Sequence, residues 1–512
     1  MLTGDMLRRA AYRTPNKAAI LWNDTALAYR ALDAAANRLA HALLAEKLPR
    51  QAKIGMLSRN RPEYGVVFFG VAKSGCVLVN VSVLYAPDEL VFVLDKADVE
   101  VLIFEDVFAD KIAAVREKLP RIKTYVSIGS SKLGAPVLAD FIAGHPPEEP
   151  NVAMSEDDPF CMTYTGGTTG RPKGVLATHR ARAVTAHTVM VEEALDERDI
   201  VGVVTPMFHV AALNIMFQPA ILAGATVTML APWSADGFRE MVRRTGMTAN
   251  FMVPTQAIQV VQDPNFDAAA YRTWRKVSFA GAPMPDWTQK ALMEKLPDLR
   301  LTQIYGQSEM GVIAVNRWWN LPRKLGAVGR EAYNVDMRVV RPDGTPVKAG
   351  EIGEVVSRGE NLMREYYNEP EQTKGFWKLG DGWGWSGDLA TIDADGFITL
   401  VDRSKEMLIS GGENVYPSEI ERVIYALPEV AECAVFGIPD EQFGELPAAY
   451  IALKAGAELS EAAVTAHCEQ HLARFKRPRL VKFVTDFPKT PIGKIQKNVL
   501  KEPYWERRAK KI

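Results

Sequence analysis

One stretch of the 512-residue chain, Tyr164-Thr165-Gly166-Gly167-Thr168-Thr169-Gly170-Arg171-Pro172-Lys173-Gly174, concentrates the groups that bind polyphosphates. Its four glycines let backbone N–H groups turn inward, its threonines add hydroxyl donors, and Lys173 adds a point charge. It is not a Walker A loop, which needs Gly-Lys-Ser/Thr in direct sequence, because Pro172 precedes Lys173 and Gly174 follows it. Taken alone, it also fits a flexible surface loop. A second stretch, Gly306-Gln307-Ser308-Glu309-Met310-Gly311, has one residue too many for the Gly-x-Ser-x-Gly elbow of serine hydrolases.

Strand-like runs (Lys53 to Leu57, Cys76 to Val81, Val101 to Phe104) alternate with helical stretches such as Tyr29 to Leu44, where Leu32, Ala35, Leu39 and Leu43 share a face. This alternation predicts layered α/β structure. After about residue 325 the texture changes to short strands (Met337 to Val340, Glu354 to Ser357, Phe397 to Val401), with hairpin turns expected at Asp343-Gly344 and Asp395-Gly396. Beyond Lys405 a small α+β unit is expected. There Pro417-Ser418-Glu419 opens a helix with Ile420, Val423, Ile424 and Leu427 on one face, Pro428 ends it, and a strand follows at Cys433 to Gly437.

Composition narrows the class. Hydrophobic residues at 47% and charged residues at 24% exclude wholesale disorder and rods, and 61 basic against 62 acidic side chains give a net charge of −1, with no global field for nucleic acid. Cys76, Cys161, Cys433 and Cys468 are too dispersed for a zinc site or a disulfide framework. The N-terminus shows no signal peptide, and the longest apolar run, Gly65 to Ala72, is far short of the roughly 18 residues of a membrane span. A cytoplasmic protein is expected, with peripheral membrane contact left open. The basic end from Arg507 to Ile512 is read as a solvated helix end.

From the phosphate loop onward the chain resembles the superfamily of adenylate-forming enzymes, nearly end to end and closest to its acyl-CoA synthetases. The matching segments are Pro206-Met207-Phe208-His209, Gly281-Ala282-Pro283, Tyr305-Gly306-Gln307-Ser308-Glu309, Trp385-Ser386-Gly387-Asp388, Asp402-Arg403-Ser404-Lys405, Gly411-Gly412-Glu413-Asn414-Val415-Tyr416-Pro417 and Pro491-Ile492-Gly493-Lys494-Ile495. The resemblance implies a large N-terminal domain of α/β subdomains plus a β-rich subdomain (1–402), a hinge (403–405) and a small mobile α+β C-terminal domain (406–512). It also implies ATP, Mg²⁺ and CoA as partners.

The same resemblance assigns roles. Thr165 through Gly170 and Lys173 would cradle the phosphates, with Gly281, Ala282 and Pro283 along the adenine, Tyr305 on its face, and Ser308 near the α-phosphate. Glu309, with Thr165, would hold Mg²⁺, which takes one or two carboxylates and fills its other positions with phosphate and water. Asp388 would accept both ribose hydroxyls, and Arg403 would be the second ribose and phosphate contact. Lys494 would bridge the attacking carboxylate and the α-phosphate. Gly412 would pass the pantetheine arm of CoA. Three positions depart from the common pattern: Gly166 for Ser, Ser308 for Thr, and Asp402 for Gly.

Amino-acid-activating relatives usually hold an Asp where this chain has His209, because the substrate ammonium needs a counter-charge. The assigned pocket (Val210, Ala211, Ala212, Leu213, Val253, Thr255, Ile304 and Met310) is mostly apolar. An apolar fatty or aryl acid fits it better, with His209 as the gating or carboxylate-side histidine. No carrier domain follows Ile512, so a diffusible acceptor is expected. The expected activity is an AMP-forming acyl-CoA ligase, with a loader of a free-standing carrier protein or a luciferase-like oxygenase as alternatives.

Overall fold

The computed structural model describes residues 1–165, 172–282, 284–403, 406–410, 413–440, 442–489 and 495–509, with 507–509 described by backbone alone. The chain is a mixed α/β protein that divides into two compact units. The first takes in Met1–Gly167, Pro172–Met337 and Ser357–Gly384, and the second includes Arg338–Val356 and Trp385–Ile512.

Two sheets build the first unit. In the seven-stranded sheet the order is Glu365–Tyr366, Lys173–Thr178, Pro159–Thr165, Val77–Asn80, Lys53–Leu57, Val99–Glu105 and Thr124–Ile128. The last five strands are parallel and the first two add antiparallel pairing at one edge. The nine-stranded sheet has a parallel centre of Arg300–Gln307, Lys276–Phe279, Ala249–Met252, Ile200–Val203, Thr226–Met229 and Ala18–Trp22. Three antiparallel strands complete it: Gly311–Asn316 and Arg330–Glu331 at one edge, Thr25–Ala28 at the other.

The expected strands fall where the apolar runs lie, and the expected helix spans Tyr29–Ala45 with Leu32, Leu39 and Leu43 buried and Ala35 half-buried. The run from Gly65 to Ala72 sits in the helix Pro62–Ser74, fully inside the core. There Phe68 meets Phe69, Phe160 and Phe217 edge-on at centroid distances of 5.0, 5.1 and 6.1 Å. No helix among the described residues is long and apolar enough to cross a membrane.

The second unit contains a four-stranded sheet, Asp336–Val340, Ile352–Arg358, Gly384–Ile392 and Ile398–Arg403 in that order. Asp343-Gly344 and Asp395-Gly396 make its tight turns, with both glycines at positive φ (85° and 82°). The C-terminal sheet is built on the long hairpin Val430–Asp440 and Gly444–Leu453, and helices Pro417–Ile424 and Glu461–His471 cover it. The helix from Pro417 stops at Ile424, short of Leu427, because Pro428 disfavours helical backbone at the residue before it. All four cysteines are buried and outside any disulfide.

Asp402 does a specific job. One of its carboxylate oxygens accepts the Ser418 N–H at 2.9 Å, tying the last strand of the four-stranded sheet to the first turn of the helix Pro417–Ile424. The nearby Lys497 ammonium pairs with Glu421 at 2.8 Å and Glu406 at 3.4 Å. The Asp402–Ser418 bond joins the β-rich segments to the C-terminal residues, with which they group here, whereas the sequence reading places them with the N-terminal part.

His179 yields a pH prediction. Its imidazole stacks on Phe160 at 5.0 Å and accepts the Thr3 N–H at Nδ1, and burial pushes its pKa down from 6.5 to about 4. The unfolded chain therefore takes the proton first. The stability contributed is present above about pH 6.5 and is lost as pH falls toward 4, a change of a few kcal/mol. In His179→Gln, the fall of the urea midpoint between about pH 7 and pH 5 should be visibly shallower than in the parent. An unchanged slope would refute this origin of the acid sensitivity.

Candidate active site

Four neighbouring parallel strands of the nine-stranded sheet, Ile200–Val203, Ala249–Met252, Lys276–Phe279 and Arg300–Gln307, end on the same edge. Just past those ends stand His209, then Val253 and Thr255, then Gly281 and Ala282, then Ser308 and Glu309, with Tyr305 in the last turn of its strand. The carboxyl ends of parallel strands are where open α/β sheets bind ligands, since the connecting loops there converge. Residues scattered over a hundred positions are thus gathered by topology.

The tip carrying Ser308 and Glu309 is a tight antiparallel turn between Arg300–Gln307 and Gly311–Asn316, closed by the Met310 N–H on the Gln307 carbonyl at 3.1 Å. The register slips between Tyr305 and Gly306, and a Cβ on Gly306 would lie 2.0 Å from the Gly311 carbonyl oxygen, so only glycine fits. Tyr305 is buried beside it, while Ser308 and Glu309 keep partial exposure.

Glu309 is held at both ends. Its backbone carbonyl accepts the Met363 N–H at 2.7 Å, and its Oε1 accepts the Tyr366 hydroxyl at 2.8 Å. Thr165 and Lys173 pair directly across the two strands that flank the phosphate loop. The loop therefore joins strand to strand, whereas a Walker A loop leads into a helix.

His209 stands two residues before a wide helical turn over Ala211–Phe217. Its Nδ1 accepts the Ala211 N–H at 3.2 Å, which leaves the proton of the neutral ring on Nε2. Some of the residue's surface remains exposed, yet burial alone pushes the imidazole down to about 4, so at neutral pH it is an uncharged donor. Of the assigned pocket residues, Ala212, Leu213, Ile304 and Met310 are buried, and Val210, Ala211, Val253 and Thr255 are partly exposed.

Sequence reasoning missed the side chains that place this edge. Buried Asn60 accepts the Met207 N–H at 2.7 Å and donates to the Thr205 carbonyl at 2.9 Å, fixing the approach to His209. Gln256 accepts the Val253 N–H at 3.1 Å and donates to the Val204 carbonyl at 3.2 Å. Asn361 donates to the carbonyls of Met310 and Val312, clamping the Glu309 turn.

In the second unit, Asp388 and Arg403 face each other across adjacent strands, with the guanidinium Nε 3.2 Å from a carboxylate oxygen. Ser386 accepts the Asp388 N–H at 3.0 Å and donates to the Val355 carbonyl at 2.7 Å. Gly166, Gly167, Thr168, Thr169, Gly170, Pro283, Gly412 and Lys494, with hinge residues Ser404 and Lys405, lie outside the described residues. No group of three or more His, Cys, Asp or Glu side chains suited to a metal occurs among the described residues.

The model of the AMP-binding enzymes matches residues 7–367, and that of their C-terminal domain matches residues 419–494. The chain belongs to the AMP-binding enzyme family. It is 34% identical over 506 residues to the long-chain-fatty-acid–CoA ligase FadD13 of Mycobacterium tuberculosis, covering 98% of each chain. It is 33% identical over 501 residues to a feruloyl-CoA synthase of an Amycolatopsis species, covering 97% of this chain and 98% of the relative. Among solved structures, an anthranilate CoA ligase, AuaEII, in complex with anthranoyl-AMP superposes with a TM-score of 0.91. That pair is 28% identical, with 98% of this chain and 97% of the other covered. The adenylate-forming architecture expected from the sequence is thus present.

Proposed function

We propose that this AMP-binding enzyme joins an apolar carboxylic acid, fatty or aryl, to CoA in two steps at one site. In the first, a carboxylate oxygen of the acid attacks the α-phosphorus of ATP, the bond to pyrophosphate breaks, and an acyl adenylate forms. In the second, the CoA thiolate attacks the acyl carbonyl and AMP leaves. The observation that carries the reading is the shared strand-end edge, along which a buried aromatic near the end of one strand (Tyr305), a tethered carboxylate (Glu309) and a neutral imidazole donor (His209) stand.

The site's chemistry follows from its charges. Adenylyl transfer to an acid needs positioning and charge neutralisation more than a general base. Because the Tyr366 hydroxyl takes Oε1 of Glu309, Oε2 is the oxygen left for a cation, and the donor set of one carboxylate with the Thr165 hydroxyl fits Mg²⁺. Bound there, Mg²⁺ would supply neutralisation of the triphosphate charge. Lys173 supports the phosphates, and Asp388 with Arg403 presents acceptors and a cation to the ribose. Lys494 serves adenylation and Gly412 serves thioester formation, exchanged by a turn of residues 406–512 about the hinge at 403–405.

ATP–pyrophosphate exchange over fatty, aryl and amino acids, followed by addition of CoA alone, tests the reading. Exchange with apolar acids and thioester formation without a carrier protein are expected; exchange with none of them would overturn it. Gly412→Leu gives a finer check, since a side chain there should obstruct a narrow thiol arm. Acyl-CoA formation from supplied acyl adenylate should slow while adenylation stays near the parent rate. A variant forming acyl-CoA at the parent rate would place the CoA route elsewhere.

A further inference from the structure

Residues 361–367 form a strap between the two sheets of the first unit. Glu365 and Tyr366 pair with Leu176 and Val175 on the return strand of the phosphate loop, and the N–H groups of Arg364 and Tyr367 each bond that strand's carbonyls at 2.8 Å. The same strap reaches the Glu309 turn through Asn361, Met363 and Tyr366. Because side chains alternate along a strand, Tyr366 and Tyr367 leave on opposite faces. Tyr367 anchors the strap, its hydroxyl bonding Asp98 at 2.8 Å and its ring lying 5.0 Å from the Lys53 ammonium. Tyr366 faces the chemistry: its hydroxyl holds Glu309, and its ring centroid is 5.0 Å from the Lys173 ammonium.

We propose that Tyr366 is a positioning residue that sets the Glu309 carboxylate and the Lys173 ammonium relative to each other across the two sheets, so that the nucleotide's phosphates and their cation meet both at once. The inference rests on the functional reading above for the roles of those two groups. The hydroxyl fixes one carboxylate oxygen and leaves the other to the cation. The ring face attracts the ammonium through its quadrupole and limits its wandering. Neither function needs Tyr366 to touch substrate. The two can be separated, since phenylalanine keeps the ring and loses only the hydroxyl.

The test compares Tyr366→Phe, Tyr366→Leu and Tyr367→Phe. Each is measured by Mg²⁺ titration of ATP–pyrophosphate exchange, by Mn²⁺ binding in the presence of ATP followed by electron paramagnetic resonance, and by melting temperature. Losing a hydrogen bond to an ionised carboxylate should raise the cation midpoint of Tyr366→Phe about tenfold in both assays, with KM for the acid unchanged. Tyr366→Leu should add a rise in KM for ATP through loss of the ring face beside the Lys173 ammonium. Tyr367→Phe should lower the melting temperature and leave the cation midpoint alone. The inference falls if Tyr366→Phe binds Mn²⁺ as the parent does, or if Tyr367→Phe shifts the midpoint equally. Should the parent exchange pyrophosphate with no acid while Tyr366→Phe still weakens Mn²⁺ binding, the acid-ligase reading falls and the positioning role stands.

Discussion

Lys494→Ala is expected to lower ATP–pyrophosphate exchange by about 10²-fold or more while leaving thioester formation from supplied acyl adenylate near the parent rate. Two anions must approach in the first half-reaction, the substrate carboxylate and the α-phosphate, and their repulsion grows as pyrophosphate begins to leave. A lysine ammonium, compact and carried on a long stem, can lie between them and bind the transition state better than the separated reactants. The second half-reaction has no such pair of anions to join, because the acyl group is already esterified to AMP. The measurement is the ratio of the two rates in the purified variant, with circular dichroism to confirm folding. Equal loss of both would mean that Lys494 acts on the fold or on nucleotide binding generally, and the division of labour between Lys494 and Gly412 would fail with it.

Sequence periodicity shows the elements of this protein well and shows the bonds that register them poorly. Strands such as Lys53–Leu57 and Val99–Glu105 announce themselves through the apolar stretches Ile54 to Leu57 and Val101 to Phe104 that burial on both faces demands, and the Asp-Gly turns because tight hairpins need positive φ. The edge on which the site assembles follows from parallel strand order, which local pattern does not encode. Asn60 and Tyr366 are harder still. Asn60 acts on Met207, 147 positions away, and Tyr366 acts on Glu309, 57 positions back. A lone Asn carries no mark of a distant backbone partner, and a lone Tyr none of a distant carboxylate. Asp402 shows the reverse case: the sequence marks it as a departure from Gly, and the structure gives the departure a purpose in bonding Ser418.

Substrate charge gives the other large effect expected. On the proposed reading His209 takes the place of a counter-charge for an ammonium; burial holds its imidazole neutral, pushed down to about 4, with its Nδ1 lone pair engaged by the Ala211 N–H. None of the eight side chains assigned to the pocket is acidic, and four of them are buried apolar groups, so an α-ammonium entering there would lose its hydration without gaining a partner. That penalty is several kcal/mol even after relaxation, and at about 1.4 kcal/mol per tenfold it corresponds to orders of magnitude in selectivity. Pyrophosphate release with hexanoate, octanoate, palmitate, cinnamate and ferulate should therefore exceed that with leucine or phenylalanine by a factor of at least about 10² at equal concentration. Cinnamate and phenylalanine make a useful pair, since they share one carbon skeleton and differ in the ammonium and in the double bond of cinnamate. If phenylalanine turns over as fast as the best apolar acid, a carboxylate outside these eight residues must reach the substrate, and the pocket assignment built on His209 is wrong.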